Sequence, residues 1–228
     1  MLSAFDSPVL RLAHRADDFL RADGLFSGDA STAGRTRTLL ALILLFGPLY
    51  GLAMGSFSAV TPDRALQMAF TAAKMPLLLL GTTCLCLPVF FVVNSVLGLR
   101  DEWRAAGAAI LAGQASLSIA LAALSPLTLV WYASDIDYRA ALLFNAAIFA
   151  LATVAAQLVM RREYRRLIAR RPAHRLTLWF WIATYAFVGI QMGWMLRPFI
   201  GDPEMPPAFF RPEPFSNAYV VVWHLIAG

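Results

Sequence analysis

The side chains best suited to metal binding or nucleophilic chemistry are few in this sequence, and their spacing argues against a shared site. The three histidines, His14, His174 and His224, are far apart, and the topology inferred below places them on two sides of a membrane, so they cannot bind zinc together. Cys84 and Cys86 are two residues apart, which turns them about 200° away from each other on a helix. No nucleophile-elbow, zinc-protease or phosphate-binding glycine motif occurs. The sequence predicts a non-enzymatic protein with no catalytic residue, no cofactor and no metal.

One acidic pair remains as a candidate for chemistry. Asp135 and Asp137 flank Ile136 on a short predicted loop. The pair has no base or metal ligand beside it, which is more typical of a solvated turn. An enzyme that acts on lipid through the external loops stays open as the less favoured alternative.

The composition requires a lipid bilayer. Apolar residues make up 59% of the 228 residues, charged residues make up 14%, and the mean hydropathy is +0.64. An ordinary soluble domain has about 25% charged residues. These values exclude a soluble single-core domain, a disordered chain, a collagen-like repeat and a disulfide-rich secreted scaffold.

Five apolar runs are long enough to cross the hydrocarbon layer of ~30 Å as helices. They are Leu39–Phe57, Met75–Leu97, Ala105–Tyr132, Ala140–Met160 and Leu176–Leu196. None has an Asp, Glu, Lys, Arg or His in its interior, and the third is expected to end or bend near Pro126. The predicted fold class is an all-α integral membrane bundle of five transmembrane helices. It comprises a cytoplasmic segment 1–37, a membrane domain 38–197 and an external tail 198–228.

The distribution of positive charge predicts the orientation. Of the 19 lysines and arginines, 14 lie before the first span, between the second and third, or between the fourth and fifth. Positive residues concentrate in cytoplasmic loops. We therefore expect a cytoplasmic N-terminus and an external C-terminus, in a bacterial cytoplasmic (inner) membrane. The same bias explains the pI near 9.7 without nucleic acid as a partner.

Small residues four positions apart mark the helix faces that are expected to pack, because helices in lipid associate through close backbone approach. The first span has three glycines at this spacing and the fifth has two: Gly47, Gly51, Gly55, Gly189 and Gly193. The fourth span adds the alanine pairs Ala146/Ala150 and Ala152/Ala156. These stripes predict helix contacts, and the contacting helix can belong to this chain or to another copy.

Polar side chains inside the spans form a second pattern, at Asn94, Gln114, Asn145, Gln157 and Gln191. We interpret them chiefly as interhelical hydrogen-bonding groups. The alternative is a hydrophilic path for a solute through helices two to five, favoured by prolines that can interrupt helices near transport sites, namely Pro76, Pro88 and Pro126. The spans offer no carboxylate, histidine or lysine of the kind that coupled transport uses, which argues against the path.

A strongly basic stretch follows the fourth span and continues its helical pattern beyond the membrane, with seven arginines in the fifteen residues from position 161. Six of them are candidate contacts for anionic lipid head groups: Arg161, Arg162, Arg165, Arg166, Arg170 and Arg171. The alternative is that they act only as a topological signal.

Two segments outside the spans have helical patterns of their own. Apolar residues at 4-3-4-3 spacing predict an N-terminal amphipathic helix on the cytoplasmic leaflet, or against a protein partner, formed by Phe5, Val9, Leu12, Ala16 and Phe19. Thr61 and Pro62 predict the start of a separate short external helix through Ala73.

The external tail combines prolines with aromatic residues. Six of the 13 prolines lie between Pro198 and Pro214, interleaved with phenylalanines, which predicts an ordered extended cap. The apolar segment after position 216 is too short to span and is expected at the external interface or docked on a partner. Arg197 is expected to anchor the tail by pairing with one of the external carboxylates, Asp63, Asp135, Asp137 or Asp202. The alternative is a solvated arginine at the end of the fifth span.

These features resemble the Yip1-like multi-pass proteins. The resemblance rests on the cytoplasmic N-terminus, the five closely spaced spans and the run Phe46-Gly-Pro-Leu-Tyr-Gly51 in the first span. The run from Gly189 to Phe199 is also similar to one in uncharacterised bacterial multi-pass proteins. The resemblance covers about residues 39–196 and implies a role in membrane organisation and partner recruitment without catalysis.

Two functional hypotheses follow. The first is a structural or assembly subunit of a membrane complex, or a self-assembling membrane-organising protein, with other membrane subunits or further copies as partners and anionic lipids as possible ligands. The second is a small transporter or channel that uses the polar faces of helices two to five.

Overall fold

The computed structural model describes His14, Ala16 and residues 32–57, 62–134, 137–202 and 205–211. This part of the chain forms five long helices, and a short 3₁₀ turn precedes the third. The helices are α1 (Thr32–Gly55), α2 (Pro62–Val96), α3 (Trp103–Ser134), α4 (Tyr138–Arg170) and α5 (His174–Met195). Each is long and apolar enough to cross a membrane. The prediction of a helical, multi-pass integral membrane protein with five spans is confirmed.

The structure changes two expectations about helix ends. α2 begins at Pro62 as expected, but it runs unbroken through Pro76 to Val96, so the expected short external helix and the second span are one helix. α3 continues through Pro126 to Ser134, so the third span does not end there, and a bend at Pro126 stays a prediction. Packing against neighbouring helices can compensate for the hydrogen bond that a proline removes. As a consequence, the candidate span in α2 is longer than the expected run and includes Lys74, the residue before Met75.

The five helices form an open ring. α1 packs against both α2 and α3, α3 packs against α4, and α2 packs against α5. α4 and α5 contact each other only sparsely. We call the gap between them the α4–α5 seam.

The bundle has two chemically different ends. At the basic end, α1, α3 and α5 begin and α2 and α4 end. An ion pair of 3.1 Å between Arg35 and Glu163 connects α1 to α4 there. At the opposite end, which we call the tail end, the chain leaves α5 and continues through Pro198 without helix or strand in the described residues up to Arg211.

Two predicted segments lie almost entirely outside the described residues. Of the N-terminal amphipathic helix, only His14 and Ala16 are described, and Ala16 is buried in the same core cluster as Leu39 and Leu42 of α1. The apolar segment after position 216 is not among the described residues at all.

Candidate functional site

The glycine stripe of α1 lies directly against α2. A Cβ atom built on Gly51 would lie 2.6 Å from the Cα of Ala72 and 2.6 Å from the carbonyl oxygen of Thr71. A Cβ on Gly55 would lie 2.8 Å from the Cα of Met68. These distances are too short for a real side chain, so the α1 and α2 backbones meet where only glycine fits.

The other three glycines of the predicted packing faces are less constrained. A Cβ on Gly47 would lie 3.6 Å from Pro76, and one on Gly189 would lie 3.7 Å from the side chain of Thr82, both ordinary contacts. At Gly193, no described residue lies within 4 Å of that position. The described part of the chain therefore places Gly47 and Gly189 beside α2 and offers no contact for Gly193.

Asn145 is the centre of a buried polar network that joins three helices. The Tyr50 hydroxyl of α1 donates to Asn145 Oδ1 at 2.8 Å. Asn145 Nδ2 donates to the Tyr132 hydroxyl of α3 at 2.6 Å and to the carbonyl oxygen of Ala141 at 2.7 Å. Because both amide atoms have partners within the bundle, this group stabilises the packing of the three helices.

A cavity of about 520 Å³ lies behind the α4–α5 seam. Its volume falls in the range of roughly 300–1,000 Å³ that is typical of small-molecule sites. The lining is mostly apolar and comes from α2, α3, α4 and α5. Its polar side chains are the charged Arg161 and the uncharged Thr82, Gln114, Thr153, Gln157 and Tyr185. We call this space the seam cavity.

The polar groups of the seam cavity are only partly satisfied. The Tyr185 hydroxyl donates to Gln114 Oε1 at 2.9 Å, which bridges α5 and α3. Gln157 Oε1 and Thr82 Oγ1 are buried and have no hydrogen-bond partner among the described residues. Buried polar atoms without partners are rare in native proteins, so their presence in a cavity indicates hydrogen-bonding capacity for a ligand.

The structure thus brings together two of the five predicted intramembrane polar residues, Gln114 and Gln157. Asn94 lies near the end of α2, where its Nδ2 donates to the carbonyl oxygen of Phe90 at 2.8 Å. Gln191 is half-buried on α5 and does not line the seam cavity. With Asn145 in its own network, the five residues do not form one continuous path.

At the tail end, Lys74 of α2 binds the chain that follows α5. The Lys74 side chain is fully buried, and its Nζ donates to the carbonyl oxygen of Pro198 at 2.7 Å and to that of Ala208 at 3.5 Å. The ammonium also lies 4.9 Å from the ring centroid of Phe209, a cation–π distance. No pattern in the sequence indicated this contact.

Two further side chains of α2 bind the same stretch. Thr71 Oγ1 donates to the carbonyl oxygen of Phe199 at 2.7 Å, and Gln67 Nε2 lies 3.3 Å from the carbonyl oxygens of Pro198 and Phe199. Together with Lys74, they make one face of α2 a binding site for the start of the tail.

Arg197, the expected tail anchor, lies over an aromatic ring. Its guanidinium carbon is 3.4 Å from the ring centroid of Trp194, three residues earlier in the chain. Two of the expected carboxylate partners have other contacts. Asp202 Oδ2 lies 4.0 Å from Arg211 Nη2, and the Asp137 side chain accepts a hydrogen bond from the first turn of α4. The side chains of the other two expected partners are outside the described residues: Asp63 and Asp135. The anchoring role of Arg197 stays a prediction.

At the basic end, a histidine–carboxylate pair connects α5 to the turn before α3. His174 is fully buried, and its Nε2 lies 2.6 Å from Glu102 Oε2. Arg171 donates to the carbonyl oxygen of Gly98 at 2.9 Å beside it. His174 therefore has a structural partner, which its isolated position in the sequence did not indicate.

The predicted lipid head-group arginines differ in their surroundings. Arg161 lines the seam cavity, and its guanidinium carbon lies 5.7 Å from the ring centroid of Trp179. Arg162 lies 3.6 Å from Glu163. The remaining four are exposed: Arg165, Arg166, Arg170 and Arg171.

The hydrogen bonds, ion pairs and ring contacts of the described residues hold the helices together and hold the start of the tail on α2. Among the described residues, no three His, Cys, Asp or Glu side chains come together as a metal site. No family model, curated protein or solved structure matches the chain.

Proposed function

We propose that this chain is a non-enzymatic integral membrane protein that serves as an assembly subunit of a membrane complex or assembles with itself. The observation that carries the proposal is the incompleteness of the ring. Within the apolar windows of α4 and α5, 22% and 17% of the residues are buried, against 67% for α3. The two helices on either side of the seam therefore have most of their surface free for contact with lipid or with another membrane protein.

The outer face of α4 has a surface that suits another helix. Ala146 and Ala150 are exposed and four residues apart, whereas Ala152 and Ala156 are buried inside the bundle. Small residues at this spacing allow a second helix to approach closely, which is the main source of helix association in lipid. The resemblance to Yip1-like proteins stays a prediction, since no family model matches the chain.

The assembly proposal is tested by measuring the mass of the purified protein in mild detergent. We expect a complex of fixed stoichiometry, and we expect Ala150→Leu to reduce the protein mass to that of one chain, 25.0 kDa. Ala123→Leu is the matched control, since Ala123 is an exposed alanine on α3. A wild-type protein that is a single chain both in mild detergent and in native-lipid particles contradicts the proposal.

A small transporter or channel is the second candidate, and the seam cavity is the observation that favours it. Polar groups from α2, α3, α4 and α5 line the cavity, as a solute path through these helices would require. Ion flux produced by the purified protein alone in liposomes, and reduced by Gln114→Leu, would support this candidate over an assembly subunit.

We further propose that the basic end faces the cytoplasm of a bacterium whose inner membrane contains the protein. The test uses two variants of a chain in which Cys84 and Cys86 have been replaced. One carries Arg170→Cys at the basic end, and the other carries Met205→Cys at the tail end. In intact cells, we expect an impermeant maleimide to label only the cysteine at position 205, because positive residues concentrate on the cytoplasmic side. Labelling of both positions from outside would contradict this orientation.

A further inference from the structure

The seam cavity opens towards the lipid because α4 and α5 barely meet. Its walls include Leu117, Phe149 and Ile182, apolar side chains that a hydrocarbon chain can contact. A ligand that enters through the seam comes from the bilayer, so it must itself be soluble in lipid. The opening and the lining together favour an amphiphile over a water-soluble solute.

The polar groups on α4 are arranged along one line from the cavity to the membrane surface. Gln157, Arg161 and Arg165 follow at intervals of four residues, which places them on one side of the helix. Gln157 has a buried oxygen without a partner among the described residues, and Arg161 lines the cavity at its basic end. An amphiphile aligned with α4 would meet apolar walls first, then an amide, then positive charge.

The positive charge at this position is not neutralised by the nearby half-buried carboxylates. The Glu163 carboxylate pairs with Arg35 Nη2 at 3.1 Å and with Arg162 Nε at 3.6 Å. The Glu102 carboxylate contacts Nε2 of His174. The guanidinium of Arg161 instead lies beside an aromatic ring. A guanidinium is well suited to binding a phosphate group through two parallel hydrogen bonds.

We propose that the seam cavity binds one anionic phospholipid from the leaflet at the basic end. One acyl chain lies between α4 and α5 in the cavity, and the phosphate binds Arg161, with Arg165 adding positive charge. The polar linkage between chain and phosphate meets Gln157. This site goes beyond the assembly function and does not depend on the oligomeric state.

The position of Trp181 provides a direct test. Trp181 is buried and lines the cavity, so its fluorescence reports whether a bromine-bearing acyl chain enters. The experiment uses the full chain with Trp181 as its only tryptophan and with Trp179→Phe, which keeps an aromatic ring beside Arg161. The protein is placed in phosphatidylcholine vesicles that contain chain-brominated phosphatidylglycerol or chain-brominated phosphatidylcholine. Both lipids carry a phosphate group, but the quaternary ammonium of phosphatidylcholine neutralises it, so only phosphatidylglycerol brings a net negative charge to Arg161. We therefore expect phosphatidylglycerol to quench at about fivefold lower mole fraction. Equal quenching by both lipids overturns the proposal.

Two substitutions test the chain site and the phosphate site separately. Gly189→Leu places a side chain in the cavity without a backbone clash and should remove quenching, whereas Gly193→Leu, where no described residue is within 4 Å, should not. Arg161→Gln, at the surface, should preserve quenching and abolish the preference for phosphatidylglycerol, and Arg170→Gln should retain it. Wild-type quenching in Gly189→Leu, or an unchanged preference in Arg161→Gln, contradicts the site.

Discussion

Gly51→Ala is expected to destabilise the bundle severely, although it adds only one methyl group. The new Cβ would lie 2.6 Å from two backbone atoms of α2, at Thr71 and Ala72, and backbone atoms cannot rotate away as the end of a side chain can. α1 and α2 must separate, which disrupts packing along the whole stripe. Overpacking costs about 1–3 kcal/mol and more where the neighbour cannot move, so we expect the upper end of that range or beyond. Gly51→Leu should give no folded protein.

The same stripe supplies the matched control. Gly47→Ala makes the same chemical change one turn earlier on α1, where the Cβ would lie 3.6 Å from Pro76 in an ordinary contact. We expect Gly47→Ala to change the melting temperature in detergent by little, and Leu52→Ala, next to Gly51 but partly exposed, to be mild as well. Equal melting temperatures for Gly47→Ala and Gly51→Ala would contradict the close approach at Gly51.

The five membrane helices were accessible to prediction because each span is an apolar run of sufficient length, a property of local composition. The positions at which the helices begin and end were harder to predict. The second span was expected to begin at Met75, after a short external helix from Pro62 to Ala73, whereas α2 is one helix from Pro62 to Val96 that includes Lys74. Hydropathy measures the cost of a charge in lipid and contains no information on partners that remove that cost.

The pairing of side chains between helices could not be predicted. Tyr185 and Gln114 are 71 residues apart and Tyr50 and Asn145 are 95 apart, so their bonds depend on which helices become neighbours. The sequence indicated that such groups face other helices but did not identify which ones. The seam cavity has the same origin, because it exists only where α4 and α5 fail to close the ring.

Lys74 is the clearest case of a residue whose role the sequence concealed. Its partners are the backbone carbonyl oxygens of Pro198 and Ala208, 124 and 134 residues away. Every residue has a carbonyl group, so no pattern of residue types marks these acceptors. Carboxylates can be recognised in a sequence, and for that reason the pattern of charges indicated Arg197 as the tail anchor.

Lys74→Met is accordingly expected to release the tail from α2. Methionine fills a similar volume but donates no hydrogen bond, so the carbonyl oxygens of Pro198 and Ala208 lose their charged donor, and the cation–π contact with Phe209 is lost. Hydrogen bonds to charged groups contribute about 1.5–3 kcal/mol, which corresponds to a roughly ten- to hundredfold rise in the population of the open tail.

Cleavage by chymotrypsin after Phe209, with the protease added on the side of the tail, measures this opening, because the Phe209 ring packs against Phe70 of α2 in the bound tail. Cleavage of the opened state follows its population when reclosing is fast, so the cleavage rate should rise by the same factor. Arg139→Met removes a positive charge from an exposed position near the same end and should leave the rate unchanged. If Lys74→Met and Arg139→Met are cleaved equally fast, Lys74 does not anchor the tail, and Arg197 becomes the residue to test next.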